Sequence, residues 1–215
     1  MGKNRRFNNR VDAPSTVISA VGKVLVGARI NSLRMDADET ETWKRALLRL
    51  REQKDEFFRA GRDSPLGPED RASFKGLKYF DPDPSFRFEV RLQRYQETEA
   101  MIMTTSKGTR QLFNKVGRFD LVLGGQSVSL QAYQSAERED PSIFIPFRDA
   151  TSGKESYGAA RYIDLEVEHD DGYAVDFNLA YNPYCAYSED FICPLPPREN
   201  WLAVAISAGE KKYHD

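Results

Sequence analysis

The chain has 215 residues, 40% of them hydrophobic and 30% charged, with 31 Lys plus Arg against 33 Asp plus Glu for a net charge of -2. That length carries one substantial core without staples, and the composition excludes a disordered chain and a helical membrane protein. A balanced charge argues against a protein that coats nucleic acid.

The charge is uneven along the chain: residues 1–140 hold 25 basic and 20 acidic side chains, residues 141–215 hold 6 and 13. Residues 1–37 read as an N-terminal arm whose first 14 residues are polar, basic at Lys3, Arg5, Arg6 and Arg10 and ending at Pro14. The apolar stretch from Val17 is broken by Gly22, Lys23, Gly27 and Arg29, so a secretory leader is not expected and the chain is read as cytoplasmic. Residues 38–215 are read as a single β-rich domain.

Between residues 40 and 60, strong helix formers carry Trp43, Leu47, Leu50, Phe57 and Phe58 near one face, with Gly61 placed as a C-cap. Seven acidic and seven basic residues from Asp38 to Asp63 cancel, which describes a solvated outer face. Ser64-Pro65-Leu66-Gly67-Pro68 is a rigid loop. Phe74-Lys75-Gly76-Leu77-Lys78-Tyr79-Phe80, bounded by Asp81-Pro82-Asp83-Pro84, reads as an aromatic lid over a core edge.

After this the period changes from 3.6 to 2. Phe86, Phe88, Val90 and Leu92 alternate with Arg87, Glu89 and Arg91, the pattern of a half-buried strand. Residues 101–105, 119–123, 128–133 and 143–147 continue as strands, and Gly124-Gly125 is a hairpin turn. Residues 162–168 and 173–179 are expected to form a second hairpin around Asp170-Asp171-Gly172, and residues 202–206 a last strand. The fold class is therefore α+β, mainly β: an antiparallel curled sheet, barrel or sandwich with one N-terminal amphipathic helix.

Unusual residues concentrate from Ile145 to Lys211. The blocks Pro146-Phe147-Arg148-Asp149-Ala150-Thr151-Ser152-Gly153-Lys154-Glu155-Ser156-Tyr157-Gly158, Arg161-Tyr162-Ile163-Asp164-Leu165, Asp176-Phe177-Asn178-Leu179-Ala180-Tyr181-Asn182-Pro183-Tyr184-Cys185-Ala186-Tyr187, Cys193-Pro194-Leu195-Pro196-Pro197-Arg198-Glu199-Asn200 and Ala208-Gly209-Glu210-Lys211 follow one another. Together with Ser64-Pro65-Leu66 and residues 74–80, they resemble the signature blocks of the uncharacterised family called domain of unknown function 1684, over residues 40–212. The resemblance implies no activity that can be carried over.

Read chemically, Arg148, Asp149, Lys154, Glu155, Tyr157 and Arg161 lie in or beside a loop able to hold an anion. It is not a nucleotide loop, because no glycine precedes Gly153-Lys154 at the required spacing and Glu155 stands where a Ser or Thr would meet magnesium. A salt-bridged turn accounts for the same residues. Asp176 and Asn178, two apart on an expected strand, would share a face. Tyr181, Asn182, Cys185 and Tyr187 would furnish an aromatic wall with a few fixed polar groups, or a tyrosine-rich loop sealing a sheet end. Cys185 and Cys193 are read as buried thiols or a mutual bridge, not as metal ligands, because His169 and His214 are the only histidines available to complete a site.

The leading expectation is a small polar or anionic ligand held between residues 148–157 and 176–187, with no metal, no nucleic-acid partner, no membrane partner and no cofactor named. Two other readings stand beside it: a hydrolase with Asp176 or Glu155 as general base, and a structural or assembly protein.

Overall fold

The computed structural model describes residues 35–137, 142–168 and 170–214; the expected arm up to residue 34, and His169, lie outside these. Helix α1 (Ala37–Ala60) starts at a capping box, with the Glu39 N–H donating to Asp36 Oδ1 at 2.8 Å and the Asp36 N–H donating to Glu39 Oε2 at 3.1 Å. It buries Trp43, Leu47, Leu50 and Phe58. A one-turn-plus helix α2 (Pro68–Ser73) follows, starting at the last residue of the expected Ser64–Pro68 loop; Pro68 sits in its first turn, where the missing N–H costs nothing.

The strands are β1 (Arg87–Arg91), β2 (Gln93–Thr104), β3 (Arg110–Leu123), β4 (Gln126–Ser135), β5 (Ile143–Phe147), β6 (Arg161–Leu165) and β7 (Gly172–Asp176). Strands β2-β3-β4-β5-β6 form a five-stranded antiparallel sheet in that order, and β1-β7 a two-stranded antiparallel sheet. Gly124 and Gly125 have φ of 56° and 79°, which gives the tight β3–β4 turn its hand. Register shifts between Arg94 and Glu99, and between Lys115 and Gly117, curl the larger sheet without closing it into a barrel.

Two expectations about pairing are corrected. The hairpin of residues 162–168 with 173–179 does not form: β6 pairs with β5, Ile145 opposite Ile163, while β7 pairs with β1, Val175 opposite Phe88. Alternation marks a strand but not its partner, and the 166–171 connection, with Asp171 at φ 58°, carries the chain from one sheet to the other. Residues 202–206 are not a strand either. Val204, Ile206 and Ala208 are buried as an inward pattern requires, but the backbone partners are a loop, with Leu202 N–H donating to Arg148 O at 2.8 Å and Ala150 N–H to Val204 O at 3.0 Å.

Between the two sheets lies an apolar core of Phe119, Leu130, Ile145, Phe147, Val175, Phe177 and Ile206. A second core is aromatic: Phe58 from α1 packs on Tyr187 at 4.8 Å between ring centroids, and Phe144 on Tyr162 at the same separation, both edge to face. The candidate site sits where α1 meets this second core. Among the described residues no helix is long and apolar enough to cross a membrane.

Candidate functional site

The twelve residues singled out from the sequence fall into four groups by their hydrogen-bond partners, the first and last of them adjoining through Glu210. Arg161, completely buried, is the centre of the first. Its Nη2 donates to Asp149 Oδ2 at 2.7 Å and to Ile206 O at 2.8 Å, and its Nη1 to Ala208 O and to Glu210 O at 3.3 Å. Asp149 Oδ1 accepts from Thr151 N at 2.7 Å, Thr151 Oγ1 at 2.6 Å and Ile206 N at 3.3 Å. This is a buried pair that fastens the C-terminal segment to β6. Arg148 instead lies half-buried with its guanidinium 4.4 Å from the Trp201 ring centroid, and Lys154 and Glu155 are exposed at the loop tip. Among the described residues, no hydrogen bond or ion pair joins these three side chains to Asp176 or Tyr187.

Asp176 and Asn178 form the second neighbourhood and are both buried. The expected shared strand face is corrected: β7 ends at Asp176, and Asn178 lies in the short 3-10 turn Phe177–Leu179. Asp176 Oδ1 accepts from Asn178 N at 2.9 Å and Nδ2 at 2.8 Å, and Oδ2 accepts from Trp43 Nε1 at 2.8 Å. Burial raises the Asp176 carboxyl above its ordinary range. With both oxygens occupied by fold contacts, Asp176 has the surroundings of a structural carboxylate. Cys185 and Tyr157 form a third group, the Tyr157 hydroxyl 3.8 Å from Cys185 Sγ.

The fourth group holds Tyr181, Asn182 and Tyr187, and it is gathered by residues outside the expected set: Arg51, Lys54, Tyr79 and Glu210. Three pieces of chain are layered on α1 here. Arg51 Nη1 donates to Phe80 O at 2.9 Å, and Leu77 N–H to Asp55 Oδ1 at 3.0 Å, so α1 grips residues 77–80 at two points. Those residues bond in turn to the C-terminal segment, through Phe80 N–H to Gly209 O at 2.9 Å and Lys211 N–H to Lys78 O at 2.8 Å. Glu210 N–H then bonds Ala180 O at 2.9 Å. Gly209, at φ 78°, is required: a Cβ there would lie 2.5 Å from Ala180 O and 2.7 Å from Phe177 O.

This layering places the Glu210 carboxylate at the centre, its side chain 2% exposed. Oε2 accepts from Tyr187 Oη at 2.5 Å and from Asn182 N at 2.8 Å, and Oε1 takes the ammonium of Lys54. Lys54, 19% exposed, also lies 5.0 Å from the Tyr181 ring centroid, so it forms the outer edge of the group. The negative charge is compensated on the spot, as a buried carboxylate requires.

Around this compensated centre stand polar atoms that are not. Arg51 Nε and Nη2, Tyr79 Oη and Asn182 Oδ1 are shut off from bulk and have no hydrogen-bond partner. The Arg51 guanidinium is 4.4 Å from the Tyr79 ring centroid. Burial lowers the Arg51 pKa and raises that of Tyr79, the nearby Glu210 charge adding to the latter, so each favours its neutral form more than it would in water. A buried group without a partner costs roughly 1–3 kcal/mol, more for a charged one. Three residues carrying such groups thus lie about one carboxylate. Nε and Nη2 form one edge of the guanidinium, the planar fork that grips two oxygens of a carboxylate or phosphate.

A signal for this group is present in the sequence. Trp43, Leu47, Leu50, Lys54 and Phe58 follow one another at steps of four, three, four and four, so Lys54 occupies a position on the buried stripe of α1. Balanced charge along the helix conceals it. Among the described residues no three His, Cys, Asp or Glu side chains come together as a metal site would need.

Comparison with known proteins agrees with this picture at the level of fold. The family model described as "Protein of unknown function (DUF1684)" matches residues 72–211. The solution NMR structure of the uncharacterized protein from gene locus rrnAC0354 of Haloarcula marismortui is similar, with 42% identity and a TM-score of 0.65, over 84% of this chain and 100% of that one. No curated protein matches the chain.

Proposed function

The chain belongs to the DUF1684 family, and we propose that it binds a small polar carboxylate bearing a hydroxyl or amino group, in the cluster of Arg51, Tyr79, Asn182 and Glu210. The single observation that carries the reading is the set of partnerless buried atoms on three residues around a carboxylate already satisfied by Lys54, Tyr187 and Asn182 N–H. Their inventory specifies the ligand: two N–H donors on one guanidinium edge call for two acceptor oxygens, Asn182 Oδ1 calls for a donor, and the Tyr79 hydroxyl serves either way. The site is closed, so binding involves outward movement of Lys54 and of residues 77–80 from α1.

The charged loop at Arg148, Lys154 and Glu155, part of the expected ligand site, would then flank nothing more than the Arg148–Trp201 stack. A general-base role for Asp176 has little support from an oxygen pair spent on Trp43 and Asn178. The basic residues Arg87 and Arg94 are engaged with Glu89 and Asp171, which favours a small ligand over nucleic acid. Two free cysteines suit a reducing, cytoplasmic setting.

The test is thermal denaturation of the full chain with L-malate, citrate, L-serine, L-glutamate and inorganic phosphate as probes. A ligand at a hundred times its Kd adds about 2.7 kcal/mol, or roughly 5–11 °C for a domain of this size. We expect such a shift with at least one organic probe, and its loss in Arg51→Met. A shift that survives intact in Arg51→Met, or no shift with any probe, would overturn the reading.

A further inference from the structure

Away from the Glu210 cluster, the two cysteines form a unit of their own. Cys185 lies in the middle of a short 3-10 turn (Tyr184–Ala186), and Cys193 follows eight residues later. The Cys185 N–H donates to Cys193 Sγ at 3.4 Å. With an N–Cα bond of about 1.46 Å, Cys193 Sγ is then no more than about 4.9 Å from the Cα of Cys185, within reach of a disulfide. The two are unequal. Cys185 is half-buried and Cys193 only 1% exposed.

Each thiol has its own fixings. Cys193 is pinned to the β2–β3 turn through its N–H to Ser106 Oγ at 3.2 Å and through its carbonyl, which accepts from Ser106 N–H at 2.8 Å. Cys185 has the Tyr157 hydroxyl beside its sulfur at 3.8 Å. Hydrogen bonding from Cys193, assisted by Tyr157, lowers the Cys185 thiol to about 7, while its partnership with Cys185 and burial push the Cys193 thiol up. This division of labour, one accessible nucleophile and one sheltered partner in contact with it, is what thiol–disulfide exchange needs.

We propose that Cys185 and Cys193 are a redox-active dithiol, with Cys185 as the attacking thiol and Cys193 as the resolving one, oxidised by a low-molecular-weight disulfide such as oxidised glutathione. The Cys185 thiolate attacks one glutathione sulfur, forming a mixed disulfide and expelling a glutathione thiolate that takes up a proton. Cys193 Sγ then attacks Cys185 Sγ, closes the protein disulfide and releases the second glutathione, to which the Cys193 proton passes. The protein loses two electrons and two protons, and one oxidised glutathione becomes two reduced molecules.

The test treats the reduced full chain with oxidised glutathione at pH 7 and follows intact mass and peptide maps. Wild type is expected to lose two hydrogens, with Cys185 joined to Cys193 and only a transient glutathione adduct. Cys193→Ser is expected to stop at a stable adduct of one glutathione on Cys185, and Cys185→Ser to react at least about tenfold more slowly than Cys193→Ser, since its remaining thiol is buried. On the unmutated protein, brief iodoacetamide labelling at pH 7 should mark Cys185 at least about tenfold over Cys193. A persistent adduct on wild type without closure, equal labelling of both thiols, or Cys185→Ser reacting as fast as Cys193→Ser would overturn the proposal.

Discussion

Replacing Arg161 by Met keeps the length of the stem and removes the charge that neutralises Asp149. The side chain is wholly buried, so no water replaces the lost contacts. Asp149 Oδ2 loses its charged partner at 2.7 Å, while Oδ1 keeps Thr151 and the Ile206 N–H. The carbonyls of Ile206, Ala208 and Glu210 lose their guanidinium donor at the same time. Breaking a buried pair on one side costs about 3–5 kcal/mol, a large part of the roughly 5–15 kcal/mol that holds a domain together. At about 2–4 °C per kcal/mol for a chain of this length, the melting temperature should fall by roughly 6–20 °C. Urea unfolding followed by tryptophan fluorescence supplies the free energy, because Trp43 is buried and reports on α1. Adding Asp149→Asn removes the stranded charge, and the double variant should recover at least about 1 kcal/mol over additivity. A single variant within about 0.5 kcal/mol of wild type, the range of ordinary surface changes, would refute the assignment of Arg161 as the clamp of the C-terminal segment.

Gly209→Ala forces a side chain into the left-handed region with its Cβ 2.5 Å from Ala180 O; a loss above about 2 kcal/mol is expected, and an unchanged urea midpoint would show that residues 208–211 do not seat as described. Asp36→Ala removes the capping box of α1 and should cost about 1 kcal/mol, seen as a drop of about 2–4 °C in melting temperature; no drop would mean that α1 does not depend on this cap. For Asp176, burial raises the folded carboxyl above its unfolded value, so the native state holds the extra proton and stability falls as pH rises from about 4 through the raised value. The stability of wild type relative to Asp176→Asn should therefore decline across that window, and a flat or rising difference would contradict the burial of a strained carboxylate.

Much of the framework was legible because it follows local rules. The stripe of Trp43, Leu47, Leu50 and Phe58 defined α1, Gly124-Gly125 defined the β3–β4 turn, and Ile143 to Phe147 is a strand with the expected limits. Pairing was less legible, because period 2 says which residues alternate and nothing about which strand lies alongside; β6 and β7, close in sequence, belong to different sheets. The same limit shaped the site. Asp149 suggested an ion pair with a neighbouring guanidinium, but the guanidinium that reaches it is that of Arg161, twelve residues on and carried by β6. Asn182 and Tyr187 were singled out as a polar, aromatic pair, and the structure joins both to Glu210. Arg51, Lys54 and Tyr79 were missed because charged helix residues and an aromatic strap look like solvated surface and lid until a long-range fold lays them on one carboxylate.

The proposed ligand site rests on the buried Nε and Nη2 edge of Arg51. The most direct measurement is the Nε–H resonance of Arg51 in the nitrogen–proton NMR spectrum of the full chain, assigned by its loss in Arg51→Met, while the organic probe that stabilises the protein is added. Binding of a carboxylate at this edge should give a downfield shift of that resonance that saturates with the same Kd as the thermal stabilisation, together with slowed exchange of its proton with water. A resonance that keeps its position and exchange rate at a saturating probe concentration would contradict it.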